Sequence, residues 1–126
     1  MMNAKVHELL NQQINKEFYS AYLYLDFSNW FKSKGLDGFA NWYLIQAQEE
    51  RDHAMLFYQY LQNESKAITL GEIAKPDKVF ETGMDVLKAG LEHEEYVTSL
   101  INDIYSAAEE IKDYRTMQFL DWFIKE

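Results

Sequence analysis

Glu50 and His53 lie three residues apart, within the run Gln-Glu-Glu-Arg-Asp-His at positions 48–53. In a helix, residues i and i+3 lie on the same face. A carboxylate and an imidazole on one face can together bind a transition-metal ion, because both groups are good ligands for such ions. The pair alone is a weak signal, since a histidine on an apolar helix face is more often a hydrogen-bonded core residue.

Glu17 is predicted to lie at the same height as this pair on a neighbouring helix. Gly35 marks a turn, and Glu17 and His53 lie 18 residues on either side of it. Residues equidistant from the turn of an antiparallel helical hairpin lie side by side. Glu17 also interrupts the apolar stripe of its helix, where an unpaired buried carboxylate would be costly. The sequence therefore predicts a buried cation beside Glu17.

A second turn brings a further acid to this level. The turn falls near Glu110, and Glu94 and Glu126 lie 16 residues on either side of it. Glu94 alone could be a solvated residue, because other glutamates flank it. A Glu-x-x-His pair with single glutamates from other helices is the ligand pattern of di-iron carboxylate bundles. The predicted metal ligands are Glu17, Glu50, His53 and Glu94.

The chain is predicted to form one all-α domain over residues 1–126. Apolar periodicity predicts helices over about 4–33, 38–63, 83–110 and 114–126. The connector at about 64–82 holds the only proline and is too long for a tight turn. We expect it to cross the length of the bundle, so that the third helix runs parallel to the second. The prediction is a four-helix bundle with one long crossover.

Turn and capping residues agree with these boundaries. Gly35 can end the first helix and Asp37 can begin the second. Thr82 and Asp85 form a variant of the capping box for the third helix, and Asp113 is a candidate cap for the fourth.

Composition excludes several classes of protein. The net charge of −9 argues against a nucleic-acid partner, because phosphate binding needs clusters of Lys and Arg. The absence of cysteine excludes disulfides, thiolate metal sites and cysteine nucleophiles. No stretch approaches the ~20 apolar residues of a membrane span, and the N-terminus lacks the apolar core of a signal peptide. We expect a cytoplasmic protein without a membrane partner.

Over essentially its whole length, the chain resembles the bacterial non-haem ferritins. The resemblance is carried by Tyr24 and by the segments 11–17, 36–38, 49–54, 93–95, 101–102 and 113–123. It implies a ferritin-like fold in which Glu17, Glu50, His53 and Glu94 are the ferroxidase ligands.

The resemblance also implies roles for four further residues. Tyr24 matches a tyrosine beside the ferroxidase centre, and Trp122 matches a nearby tryptophan. Glu49 and Glu126 match acids of a third iron site. From the residues alone, both aromatic side chains could be core packing and both acids could be solvated.

The activity implied by the resemblance is oxidation of two iron(II) ions by dioxygen through a diferric intermediate. Glu50, as the bridging ligand, and Tyr24 are the predicted catalytic residues. The product would be stored as an iron(III) mineral inside a 24-subunit homo-oligomeric shell. Haem is not expected, because Arg51 and Asp52 precede His53, where the bacterioferritins have a methionine.

The fourth helix is predicted to be incomplete. The third helix extends about 28 residues and the fourth only about 16, so at ~1.5 Å per residue the shortfall is ~18 Å. One end of the bundle would have three walls, exposing apolar residues near Leu87 and Leu9. The family motif also continues after Glu126, with a glutamine and further glutamates that complete the second and third iron sites. We therefore expect a truncated chain or an unusual member of the family.

Two alternatives to an iron-storing ferroxidase stay open. The first is a truncated ferritin-like module that binds metal or has a structural role without competent ferroxidase activity. The second is a different di-iron bundle, but those relatives use a second Glu-x-x-His motif or ligands at a subunit interface. This chain has one such motif, and its other histidines, His7 and His93, are predicted to lie on the surface.

Overall fold

The computed structural model describes residues 3–126, and within this range the regular structure is helical throughout. The all-α prediction is confirmed. Between residues 3 and 126, no helix has both the length and the apolar character that crossing a membrane requires. The helices are α1 (Ala4–Ser33), α2 (Asp37–Asn63), α3 (Gly83–Glu110) and α4 (Tyr114–Lys125).

Local side-chain chemistry sets three of the helix boundaries. Gly35 follows α1 with φ +74°, a left-handed conformation that glycine adopts without strain. At the start of α3, Thr82 and Asp85 form the predicted reciprocal capping box. Asp113 caps α4, because its carboxylate accepts the backbone N–H of Thr116 at 3.1 Å. These capping predictions are confirmed.

The prediction that Asp37 caps α2 is wrong. Leu36 occupies the N-cap position and provides no side-chain hydrogen bond, while Asp37 is already the first helical residue. Its carboxylate pairs with Lys32 Nζ at 3.0 Å instead. Asp37 therefore ties the two ends of the tight turn together.

The crossover lies along α1 and is held there by side chains of that helix. The Asn11 side chain makes two 2.9 Å hydrogen bonds to the backbone of Thr69. Its Nδ2 donates to the Thr69 carbonyl, and its Oδ1 accepts the Thr69 N–H. Further along, Asn15 Nδ2 donates to the carbonyl of Glu72, and Trp30 Nε1 donates to the carbonyl of Phe80. The connector thus spans most of the bundle and lets α3 start beside the N-terminal end of α2.

The apolar core is divided into two clusters by a polar layer at mid-height. Each cluster is built from α1, α2 and α3, and α4 contributes to the first alone. The first cluster includes Leu10, Ile14, Phe57, Leu61, Ile104 and Leu120, and the second includes Tyr24, Phe27, Phe31, Tyr43, Ala47 and Val86. Between them lie Glu17, Ser20 and Glu50, which are buried although they are polar.

One end of the bundle has three walls, as predicted. Helical periodicity in the sequence predicts that Phe39, Trp42 and Leu91 face the core, but they are 47%, 53% and 62% exposed. They border a groove of about 820 Å³ between α2 and α3, beyond the point where α4 ends at Lys125. These three assignments are wrong because no helix covers the groove.

The predicted exposure near Leu9 is also wrong. Leu9 is half-buried and packs against the first core cluster. This end of the bundle is the one that α4 covers, since Phe119 and Phe123 contact the ring of Phe57 there. Only the opposite end, beside the half-buried Leu87, lies open.

Gly90 should be intolerant of a side chain, although glycine weakens a helix interior. A Cβ at position 90 would overlap the hydroxyl oxygen of Tyr43 and lie 3.3 Å from its Cζ. We expect Gly90→Ala to lower the free energy of unfolding by about 1–3 kcal/mol through overpacking. Gly38→Ala is the matched control, because a Cβ there meets nothing within 4 Å, and it should raise stability by about 0.4–1 kcal/mol. Urea denaturation of both variants tests this; a stabilised Gly90→Ala variant would contradict it.

Candidate metal centre

The structure brings Glu17, Glu50 and His53 together in the polar layer between the two core clusters. Glu17 comes from α1 and the other two from α2, as the hairpin spacing predicted. Each residue offers one ligand atom, and these atoms all lie within 4.8 Å of one another. A nitrogen and two carboxylate oxygens form a donor set suited to a divalent transition-metal ion.

His53 Nδ1 is the ring atom that faces the two carboxylates. It lies 3.4 Å from Glu50 Oε2 and 4.0 Å from Glu17 Oε2. Glu17 is 1% exposed, and its Oε1 accepts a 2.9 Å hydrogen bond from Gln13 Nε2. Its Oε2 is buried without any hydrogen-bond partner. A buried carboxylate oxygen left without a donor favours a cation as its partner.

The two carboxylates are held in different protonation states. Burial is the largest cause that raises the pKa of Glu17 well above its usual value, and the neighbouring Glu50 carboxylate raises it further. Burial also acts to raise the pKa of Glu50, but His53 and Glu17 favour its charged form, outweigh burial and leave that pKa lowered. Without a metal ion, Glu17 therefore holds its proton more tightly than Glu50 does.

His53 is poised to lose a proton when a cation enters. Burial alone would lower its pKa, but the hydrogen bond and charge of Glu50 outweigh burial. The charges of Glu126 and Glu49 add to this effect, so the pKa of His53 is raised. Since a metal ion binds the unprotonated nitrogen, metal and proton compete for the same atom.

Glu94 lies outside the group formed by the other three predicted ligands. Its side chain is exposed, and its Oε1 accepts a 2.5 Å hydrogen bond from the hydroxyl of the buried Tyr24. Partial burial is the main cause that raises the pKa of Glu94, with Glu50 adding to it against the hydrogen bond from Tyr24. Burial and the hydrogen bond to Glu94 raise the pKa of Tyr24, which keeps its proton on the phenol. Tyr24 thus links Glu94 to the buried layer.

The remaining predicted residues lie at the edge of the centre. Glu49 is exposed and lies outside the three-residue group. Glu126 Oε1 lies 3.2 Å from His53 Nε2, on the opposite side of the ring from the other carboxylates. Trp122 is half exposed and meets the His53 ring edge-on at 5.5 Å.

Sequence reasoning missed the polar residues that support the layer. Gln13 lies four residues before Glu17, and this helical spacing could have predicted its hydrogen bond to the Glu17 carboxylate. The prediction that His93 lies on the surface is wrong, because its ring is packed between Tyr19 and Tyr24 at 5.9 and 5.8 Å. Ser20 Oγ donates to the carbonyl of Lys16 at 3.0 Å, so it accepts its 2.7 Å hydrogen bond from His93 Nε2.

His7, which was also predicted to lie on the surface, makes a solvent-exposed contact with the crossover. The side chain is half-buried. Its Nε2 donates to the carbonyl of Ala67 at 2.6 Å and so belongs to the set of contacts that holds the crossover.

Comparison with known proteins identifies the family. Residues 7–126 match the model of the ferritin-like domain. This chain belongs to the ferritin family. It is 38% identical to a bacterial non-heme ferritin of Campylobacter jejuni over 126 residues, which is all of this chain and 75% of that protein.

Solved ferritins share the same fold. The chain is similar to the ferritin of Chlorobium tepidum with a TM-score of 0.96 and 34% identity, covering 99% of this chain and 77% of that one. It is similar to an open pore ferritin from Archaeoglobus fulgidus with a TM-score of 0.96 and 36% identity, at the same coverage. The predicted ferritin-like bundle is therefore confirmed.

Replacing Glu17 should stabilise the metal-free protein at neutral and alkaline pH. The pKa of Glu17 is raised in the folded state, so stability is lost as the pH rises through that pKa. Glu17→Gln removes this titration, and we expect a gain of about 1–3 kcal/mol at pH 8 that vanishes near pH 4. Chelator-treated protein should be unfolded with urea at both pH values.

The matched control is Glu95→Gln, which changes an exposed acid on α3. It should leave the difference between the two pH values unchanged. A Glu17→Gln variant that is less stable than the parent at pH 8 would contradict the assignment of a destabilising buried carboxylate.

Proposed function

We propose that this chain binds iron(II), oxidises it with dioxygen, and stores the iron(III) product. The observation that carries the proposal is the group of Glu17, Glu50 and His53, whose ligand atoms converge between two apolar cores. Membership of the ferritin family supports iron as the cargo.

Each residue has a distinct role in this proposal. Glu17 and His53 bind the first iron(II) ion, and Glu50 bridges it to a second ion on the α3 side. Glu94 contributes to the second position from the solvent edge. Tyr24 orients Glu94 through its hydrogen bond and fixes which carboxylate oxygen stays free.

The proposed reaction balances with two iron ions per dioxygen. Two iron(II) ions lose one electron each, and dioxygen takes up these two electrons and two protons to give hydrogen peroxide. Glu17 and His53 release their protons when iron(II) binds, because the carboxylate and the imidazole nitrogen become ligands. The site thereby supplies protons next to the place where dioxygen is reduced.

Storage requires a cavity that one bundle lacks, so we propose that the chain assembles into a closed homo-oligomer. The surface of α1 and α2 supports this, because it exposes several large apolar side chains of a kind that association would cover. These are Tyr22, Leu25, Leu44, Ile45 and Leu56. The resemblance to bacterial ferritins implies 24 subunits, and the cytoplasm stays the predicted location.

One observation favours a second candidate function, a metal-binding module without turnover. Glu94 is exposed and lies outside the three-residue group, so the first iron position is better formed than the second. A chain that binds a single ion tightly would still sequester iron(II). Oxidation faster than in buffer distinguishes the two functions.

Glu50→Ala should abolish the oxidation of iron(II). Loss of a supporting residue around a metal site already costs about 10–100-fold, and loss of the bridging ligand should cost at least as much. Stopped-flow absorbance of iron(III) formation after mixing with aerated buffer gives the rates. Glu95→Ala, which removes an exposed acid, is the matched control and should oxidise iron(II) at the parent rate. Equal rates for the parent and Glu50→Ala would sink the proposal.

The affinity for iron(II) should fall as the pH is lowered. The pKa values of Glu17 and His53 are both raised, so protons compete with iron(II) below them. We expect a loss of up to about tenfold in affinity per pH unit for each proton displaced. Anaerobic calorimetry between pH 5.5 and pH 8 would measure this. Glu17→Gln should bind more weakly but with a shallower dependence on pH, and a flat profile for the parent would contradict the assignment.

A further inference from the structure

His53 contacts carboxylates through both of its ring nitrogens. Nδ1 faces Glu17 and Glu50, whereas Nε2 lies 3.2 Å from Oε1 of Glu126 on α4. We propose that Glu126 is a positioning residue, which accepts the Nε2 proton and holds Nδ1 toward the metal. This inference rests on the proposed function of the centre.

The chemistry of a neutral imidazole supports this role. Such a ring carries one N–H, so only the other nitrogen can bind a metal ion. The carboxylates of Glu17 and Glu50 surround Nδ1, which makes Nδ1 the ligand atom and leaves the proton on Nε2. Histidine ligands commonly donate their second N–H to a carboxylate, which fixes both the tautomer and the ring orientation.

The rest of α4 orients the same ring. Trp122 and Phe123 meet the His53 ring with centroids at 5.5 and 5.7 Å and interplanar angles of 82° and 83°. These two edge-on contacts limit rotation of the imidazole. Glu126, one turn further along the helix than Phe123, then selects which nitrogen carries the proton. One helix thus supplies both the aromatic side chains that flank His53 and a carboxylate oxygen 3.2 Å from its Nε2.

Two substitutions separate positioning from metal ligation. Glu126→Gln keeps an oxygen that can accept the Nε2 proton but removes the charge, whereas Glu126→Leu removes the acceptor at similar size. The probe is cobalt(II), which accepts the same nitrogen and oxygen ligands and whose visible absorption reports binding without turnover. Anaerobic titration gives both the affinity and the number of ions per chain.

If Glu126 positions His53, the affinity of Glu126→Gln for cobalt(II) should stay within about threefold of the parent, while that of Glu126→Leu should fall about 10–100-fold. This role also predicts the same number of ions per chain in all three proteins. Equal losses in both variants, or one ion fewer in both, would show that the charge acts as a ligand. Unchanged binding in Glu126→Leu would show that the contact does not position the ring.

Failure of this inference can be told apart from failure of the proposed function. If the parent and Glu50→Ala bind cobalt(II) equally, the centre itself is wrong. If the parent binds cobalt(II) and oxidises iron(II), but Glu126→Leu matches it in both respects, only the role of Glu126 is wrong. Circular dichroism of Glu126→Leu confirms folding, since the substituted residue lies at the exposed end of α4.

Discussion

The candidate metal centre depends on one buried carboxylate. Glu17 lies almost fully buried between two apolar clusters, with one oxygen bonded to Gln13 and the other to nothing. In metal-free protein this arrangement is unfavourable, and the raised pKa of Glu17 reflects it. Both clusters on either side are rich in aromatic and aliphatic contacts. Burial of these apolar side chains stabilises the fold and offsets the cost of the polar layer. The candidate metal centre thus lies where the core is interrupted, which is where a bound cation would contribute most to stability.

The α1–α2 hairpin makes the convergence of ligands possible. Its tight turn at Gly35 fixes the register of the two helices, so Glu17 meets Glu50 and His53 without help from the rest of the chain. The crossover then runs along α1, tied to Asn11 and other polar side chains, and brings α3 in beside the hairpin. These contacts lie outside the candidate metal centre, yet they help to set the height at which Tyr24 reaches Glu94.

The sequence was sufficient for the helices and for the convergence of Glu17, Glu50 and His53, because both follow from local periodicity and from distances to a turn. It was insufficient for the N-terminal half of α3. The helical phase that turns Glu94 toward the bundle also turns Leu91 inward, whereas the buried stripe in this half passes through Gly90 and includes the half-buried His93. Further along, Val97, Ile101 and Ile104 are buried, as that phase predicts. A rotation by one residue over the first half of α3 explains the two differences. Periodicity missed it because Gly90 carries no apolar side chain, although its backbone receives the ring of Tyr43.

This rotation makes the two proposed iron positions unequal. The first is built by the hairpin, is buried, and has its imidazole oriented by α4. The second depends on Glu94, which reaches the centre from an exposed position and is already engaged by Tyr24. A ligand that is solvated and hydrogen-bonded must exchange those partners for the metal, which reduces the net gain on binding. The first position should therefore fill before the second, and oxidation, which needs both ions, should depend on iron concentration more steeply than binding does.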